Sequence, residues 1–323
     1  MRRLGMLLLG MLLVAFIAAG CQQREGATEG SGKLQVVATL FPLYDFARNV
    51  GGDRAEVTLL LPPGMEAHSF EPKPADIVRI SKADLFLYTN RAMEPWAEEL
   101  VQGVGAKHLT VVDTSRGARL LKVAAEDEHG HGEAKGDGPE RYHRAEAGID
   151  PHLWLDFGNA QTMVDTIAAA FAAKDPANRD AYLANGAAYK AKLAALDDRY
   201  RAGLATCAKR GFLHGGHFAF GYLAQRYGLR YESALAVSAN AEPTPRKLAG
   251  LVKQMHEEGL SVIFAEELIS PRTAETIARE TGATILYLHG AHNVSRDDLA
   301  RGVTFLALMD RNLENLKKGL QCR

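Results

Sequence analysis

At 323 residues the chain is long enough for two domains and a sizeable core. Its 38 Lys and Arg balance 39 Asp and Glu, and a formal net charge of −1 excludes nucleic acid as a charge-driven partner. Eleven histidines and three cysteines remain as the residues whose placement carries information.

The chain begins with a basic pair, Arg2 and Arg3, an apolar run from Leu4 to Phe16, and small residues at Ala18-Ala19-Gly20. Residues 1–20 thus read as a signal peptide whose removal leaves Cys21 first, as in bacterial lipoproteins. Ala18 departs from the branched residue usual three places before that cysteine, which keeps a plain secretory signal as the alternative. The run is short for a membrane span. Residues 21–33, rich in Gly, Glu and Ser, read as a flexible tether. These features predict an exported chain, lipidated at Cys21, at the outer face of the cytoplasmic membrane or in the periplasm. In that oxidising setting the two remaining cysteines, Cys207 and Cys322, are expected to form a disulfide.

Leu34–Leu40 is apolar and β-branched and predicts a buried strand, followed by a loop entering a helix. Val57–Leu61 predicts the next strand, and Pro74–Lys82 a helix with proline in its first turn. Strand Leu85–Tyr88, helix Glu94–Val104 and strand Leu109–Val112 complete a strand–helix alternation that argues for a parallel sheet. Residues 124–148 then break the pattern with Glu, Asp, His and Gly, including His129, His131 and His143. Such a segment buries too little apolar surface to order itself. It reads either as a plain solvated insert or as a weak metal-collecting loop.

Asn159–Ala173 predicts a helix. Ala177–Leu204 predicts the longest one, with Tyr182, Tyr189, Leu193, Leu196 and Tyr200 at helical spacing. A second alternation follows: a strand end at Phe212-Leu213, helix Ala219–Tyr227, strand Leu229–Leu235, helix Pro245–Glu258, strand Ser261–Ala265, helix Pro271–Thr281, strand Thr284–Leu288 and helix Asp297–Lys318. The fold class is therefore α/β, with two lobes, each a mostly parallel sheet flanked by helices, joined by one long rigid helix. Expected boundaries are 34–175 for the first lobe, 176–206 for the connecting helix and 207–323 for the second lobe.

Three histidines stand beside the sheet edges that two such lobes turn toward each other. His68 follows Pro62-Pro63-Gly64 beyond a strand end, His152 lies in Asp150-Pro151-His152-Leu153-Trp154-Leu155-Asp156, and His217 lies in His214-Gly215-Gly216-His217. Open parallel sheets bind ligands at their carboxyl edges. Carboxylates flanking His152 suit the fixing of an imidazole tautomer for a metal. One shared site follows, and its nitrogen-rich donor set suits Zn²⁺, with Mn²⁺ the alternative. Ligand imidazoles of ordinary pKa predict binding that fades as the pH falls through roughly 6.

These motifs resemble the metal receptors of bacterial ABC importers for zinc and manganese, the cluster 9 or cluster A-I solute-binding proteins. The resemblance is carried by Pro63-Gly64…His68…Glu71-Pro72…Pro74…Asp76, by 150–156 with Asn159-Ala160, by His217…Ala219-Phe220-Gly221-Tyr222-Leu223…Tyr227-Gly228-Leu229, and by Asn312-Leu313. It implies metal held in the cleft between the lobes by His68, His152 and His217. It also implies delivery of the metal to an ABC permease served by a separate ATPase subunit, with the receptor a monomer anchored by its N-terminal lipid. Imidazole at position 217, where manganese receptors commonly carry a carboxylate, favours zinc. Many members place an aspartate after the last strand. Here His289 falls nearest that position, with His292 the runner-up and Glu66 or water as further options. A metal-dependent hydrolase and a surface adhesin are the competing classes, but no HExxH, GxGxxG or Walker motif is present.

Overall fold

The computed structural model of the chain describes residues 32–123, 148–237 and 243–323. The signal segment, Cys21, nearly all of the tether and the acidic loop as far as residue 147 lie outside the described residues. None of the described helices is long and apolar enough to cross a membrane.

β1 (Leu34–Ala38) is buried except at Gln35 and lies parallel to β2 (Ala55–Leu59) and β3 (Leu85–Tyr88). β4 (Thr110–Asp113) extends the sheet to the order β2-β1-β3-β4. Helices α1 (Phe41–Gly51), α2 (Pro74–Ser81) and α3 (Ala97–Val104) alternate with these strands. Both α1 and α2 carry proline in the first turn, where the missing N–H costs nothing. α4 (Phe157–Lys174) follows, and after it α5 (Arg179–Leu204), whose 26 residues make it the longest described helix.

The second sheet repeats the plan. β5 (Gly211–His214), β6 (Arg230–Ser233), β7 (Val262–Glu266) and β8 (Thr284–Leu288) are all parallel, in the order β6-β5-β7-β8. Helices α6 (Gly221–Tyr227), α7 (Pro245–Glu258), α8 (Arg272–Thr281), α9 (Arg296–Ala300) and α10 (Phe305–Gly319) accompany it. The single terminal helix expected over Asp297–Lys318 is in fact two. Gly302 turns the chain at φ 70°, a conformation only glycine adopts without strain, and the Thr304 side chain caps α10 by accepting from the Ala307 N–H.

The apolar stripe of α5 does what its spacing implies: Tyr182, Tyr189, Leu193, Leu196 and Tyr200 are all buried. Its phenols also reach both ends of the chain. Tyr189 donates to Asp45 of α1 at 2.8 Å, and Tyr200 donates to the Met309 carbonyl of α10 at 2.6 Å. One hydrophobic cluster consequently runs from Leu34 to Leu320, with a smaller one under α7 and α8 built on Leu251, Met255 and Ile277. Leu34–Arg323 form one compact unit.

Each sheet reverses its winding direction beside its first strand, between β1 and β3 and between β5 and β7, and such points are where doubly wound sheets bind ligands. The first is filled from within. Glu94 is buried there, accepting from the Thr39 hydroxyl at 2.5 Å and from the Thr89 and Asn90 N–H groups at 3.1 and 3.2 Å. Burial pushes its carboxyl up to about 7. The second point carries the site described below.

Cys207, just beyond α5, and Cys322, just beyond α10, are joined by a disulfide. Backbone bonds from Lys209 to Leu320 (3.0 Å) and from Ala208 to Gln321 (3.3 Å) hold the same two segments. The cysteines are 115 residues apart, and for a loop of that size the chain-entropy model gives at most about 4–5 kcal/mol. The Cys207→Ser/Cys322→Ser variant should therefore unfold at distinctly lower denaturant concentration than the oxidised protein. An unchanged midpoint would remove the bond from the stability account.

Candidate metal centre

His152 is set by what precedes and follows it. Pro151 breaks the backbone, and a single 3₁₀ turn at Leu153–Leu155 buries Leu153, Trp154 and Leu155 as anchors. The imidazole is fully buried. Its Nδ1 lies 2.6 Å from Asp150 Oδ1, which also accepts the His152 backbone N–H at 3.0 Å. With its proton on Nδ1 facing the carboxylate, the ring presents a bare Nε2. Asp156 plays no part in that tautomer. It caps α4 through the Gly158 and Asn159 N–H groups and accepts from Arg226, which also grips Asp197 on α5.

His217 follows β5 and is held the same way. Its Nδ1 lies 2.6 Å from Oε2 of Glu266, the last residue of β7. Glu266 is the functional residue that sequence reasoning missed. Its signal was its position, a carboxylate at the carboxyl end of a strand predicted to lie in the His217 sheet. His214 stays out of the cluster and orders the loop, with Nδ1 3.2 Å from the His217 carbonyl. His68 rides on the loop after β2, where Glu66 accepts from the His68 N–H and from the N–H and hydroxyl of Ser69, each at 2.8 Å. Burial raises the Glu66 carboxyl, but these bonds outweigh it and hold it below the usual range. Glu66 is thereby occupied as a loop cap.

The fourth member of the cluster is His292, not His289. Imidazole nitrogens of His68, His152, His217 and His292 all lie within 4.8 Å of one another. The Nε2 separations are 3.3 Å for His68–His152, for His152–His217 and for His217–His292. His292, the runner-up by strand position, is buried because its segment is stitched to the loop after β2. Asn293 donates to the Pro62 and Met65 carbonyls at 2.7 and 2.9 Å, and Gly64 N–H donates to the Val294 carbonyl at 2.9 Å. Ser295 is a cap, as its type suggests, accepting from the Asp298 N–H at the start of α9. His289 points away, its Nε2 3.0 Å from Glu267 Oε2 but out of line for a hydrogen bond. Asn312 brackets the His289 backbone, accepting from its N–H at 2.8 Å and donating to its carbonyl at 2.9 Å. That bracket gives Asn312 its role, while Leu313 beside it is a core residue.

Charge settles what the cluster can hold. Burial first, then the neighbouring His217, holds the His68 imidazole down at about 4. Burial and the other imidazoles push His152 and His292 well below the ordinary value. Near neutral pH these rings offer lone pairs rather than charge. The bare Nε2 atoms of His152 and His217, 3.3 Å apart, repel each other unless a cation or a proton lies between them, and four imidazoles match the tetrahedral preference of Zn²⁺. Asp150 and Glu266 stand behind two of them, and a doubly charged ion would balance two ionised carboxylates.

Two parallel sheets with a long helix between them in sequence, and a four-imidazole cluster at the carboxyl edges of the strands with three rings buried and His68 partly so, define a two-lobed α/β binding protein for a divalent transition metal. The profile of the family described as "ZnuA: Zinc-uptake complex component A periplasmic" matches residues 36–319, and the chain belongs to that family. It is 36% identical over 310 residues to the high-affinity zinc uptake system protein ZnuA of Bacillus subtilis (strain 168), covering 96% of this chain and 94% of that one. It is 33% identical over 314 residues to the zinc-binding lipoprotein AdcA of Streptococcus pneumoniae, covering 97% of this chain but only 60% of that longer protein. The crystal structure of the Zn(II)-bound ZnuA-like domain of Streptococcus pneumoniae AdcA superposes with a TM-score of 0.73 at 30% identity, over 90% of this chain and 99% of that one.

Proposed function

We propose that this protein is a zinc receptor. It captures Zn²⁺ outside the cytoplasm through His68, His152, His217 and His292 and delivers it to an ABC permease driven by a separate ATPase subunit. The four converging imidazoles carry this reading. Nitrogen donors suit zinc, whereas Mn²⁺ is better served by oxygen, so zinc is the cargo and manganese the weaker competitor. We read 34–175 and 207–323 as the two lobes and 176–206 as the helix between them, with the receptor acting as a monomer tethered through lipid on Cys21. Catalysis is not its role. Four imidazoles leave tetrahedral zinc no open position for water, and the two nearest carboxylates, Asp150 and Glu266, are each engaged by an imidazole.

The test is metal analysis of protein purified without added metal, then competition against a chelator of known affinity. The expected result is one zinc per chain, with zinc held far more tightly than manganese. Protein that carries no metal and ignores added zinc, or that prefers manganese, would end this reading.

A further inference from the structure

We propose that His289 is a positioning residue, which acts on the metal only by fixing the Gly290–Ala291 turn that carries His292 into the cluster. This rests on the zinc-receptor reading and deepens it. The turn is an improbable piece of backbone. Ala291 is fully buried and sits at φ 59°, a left-handed conformation that a residue with a Cβ adopts only when its surroundings hold it there.

His289 supplies that hold. Its Nδ1 accepts the Ala291 N–H at 2.9 Å, closing the turn from inside. Its own backbone is fixed by Asn312 on both faces. Trp154 then clamps the middle by donating Nε1–H to the Gly290 carbonyl at 2.8 Å, and the Phe41 N–H meets the His292 carbonyl at 3.0 Å. Gly290 has no side chain for a reason: a Cβ there would lie 2.5 Å from His292 Cε1, so the ring seats directly against the turn. Slack in the turn passes straight to the fourth imidazole.

The same hydrogen bond explains why His289 is not itself a ligand. An Nδ1 that accepts from Ala291 carries no proton, so the proton of the neutral ring is on Nε2, the nitrogen near Glu267 but out of line with it. Neither ring nitrogen has a lone pair left for a metal. One residue of the two-histidine segment binds and the other aims it.

The experiment is a double-mutant cycle of His289→Ala and His292→Ala in the full chain. It is read by chelator competition for Zn²⁺ and by the visible spectrum of the Co²⁺-loaded protein. His292→Ala should lose more than ~100-fold and change the cobalt spectrum, and His289→Ala should lose about 10–100-fold, the range for groups that orient a ligand. In the His292→Ala background, His289→Ala should cost nothing further beyond a few fold, because its route to the metal is gone. His289→Asn should recover most of the loss, since its Oδ1 can accept the Ala291 N–H. Losses that multiply in the double variant would make His289 an independent ligand, and an unchanged His289→Ala would leave it no role; either result overturns the proposal. If His289→Ala does not fold, His289→Asn decides: affinity within about tenfold of wild type supports positioning, and a greater loss refutes it. A wild type that binds no zinc defeats the receptor reading first, an outcome distinct from both.

Discussion

Zinc affinity is expected to fall by more than ~100-fold in His152→Ala, further than in any variant of the carboxylates behind the cluster. The ring is fully buried and central, 3.3 Å from both His68 and His217 through Nε2. Its loss removes an inner donor and leaves a space that water fills with a weaker one. By contrast, Asp150→Asn and Glu266→Gln leave all four imidazoles present and disturb only tautomer and basicity, for which about 10–100-fold is the usual scale. The fold should survive. Burial already pushes the Asp150 carboxyl up to about 7, so without its partner it can take a proton rather than remain a buried charge. Chelator competition with a circular-dichroism check of the apo protein measures both points. A folded His152→Ala protein that competes as well as wild type would take His152 out of the site.

Much of this architecture is legible in the sequence because parallel sheets announce themselves locally. Runs such as Leu85–Tyr88 are apolar throughout, as buried parallel strands are, and proline marks the starts of α1, α2 and α7. His68, His152 and His217 are legible because each stands beside a proline or glycine break next to a strand or helix end. The fourth imidazole of the cluster is not. Strand position puts His289 first in line, and only the left-handed backbone at Ala291, held by contacts from Asn312, Trp154 and Phe41, exchanges it for His292. Those partners lie 23, 136 and about 250 residues away in sequence. Glu266 was hidden for the same reason, since its meaning depends on β7 lying beside β5. The break at Gly302 was visible as a glycine but outweighed by the helical spacing on either side of it.

Acidification should release zinc in two stages, starting nearer neutral pH than an ordinary imidazole would suggest. The first stage belongs to the Asp150–His152 pair. In the metal-free protein burial pushes the Asp150 carboxyl up to about 7, and below that pH the pair holds one extra proton. Asp150 then donates to Nδ1, which moves the ring proton to Nε2, the nitrogen the metal needs. Zinc can bind only after that proton leaves, so protons compete with zinc and affinity falls as the pH falls. The expected loss is about tenfold per pH unit from about pH 7 downward, with close to one proton released per zinc at about pH 6. The second stage comes near pH 4, where His68 takes up its proton, and it steepens the loss. His152 and His292, also held well below the ordinary imidazole value by burial and their neighbours, compete with zinc for protons only in acid. Chelator competition across this range gives the slope, and calorimetry in buffers of different ionisation heat counts the protons. Asp150→Asn should abolish the first stage and leave the second. A wild-type affinity that stays flat between about pH 7 and about pH 5 would show that Asp150 remains ionised without metal, leaving the imidazoles as the only groups that compete with zinc for protons.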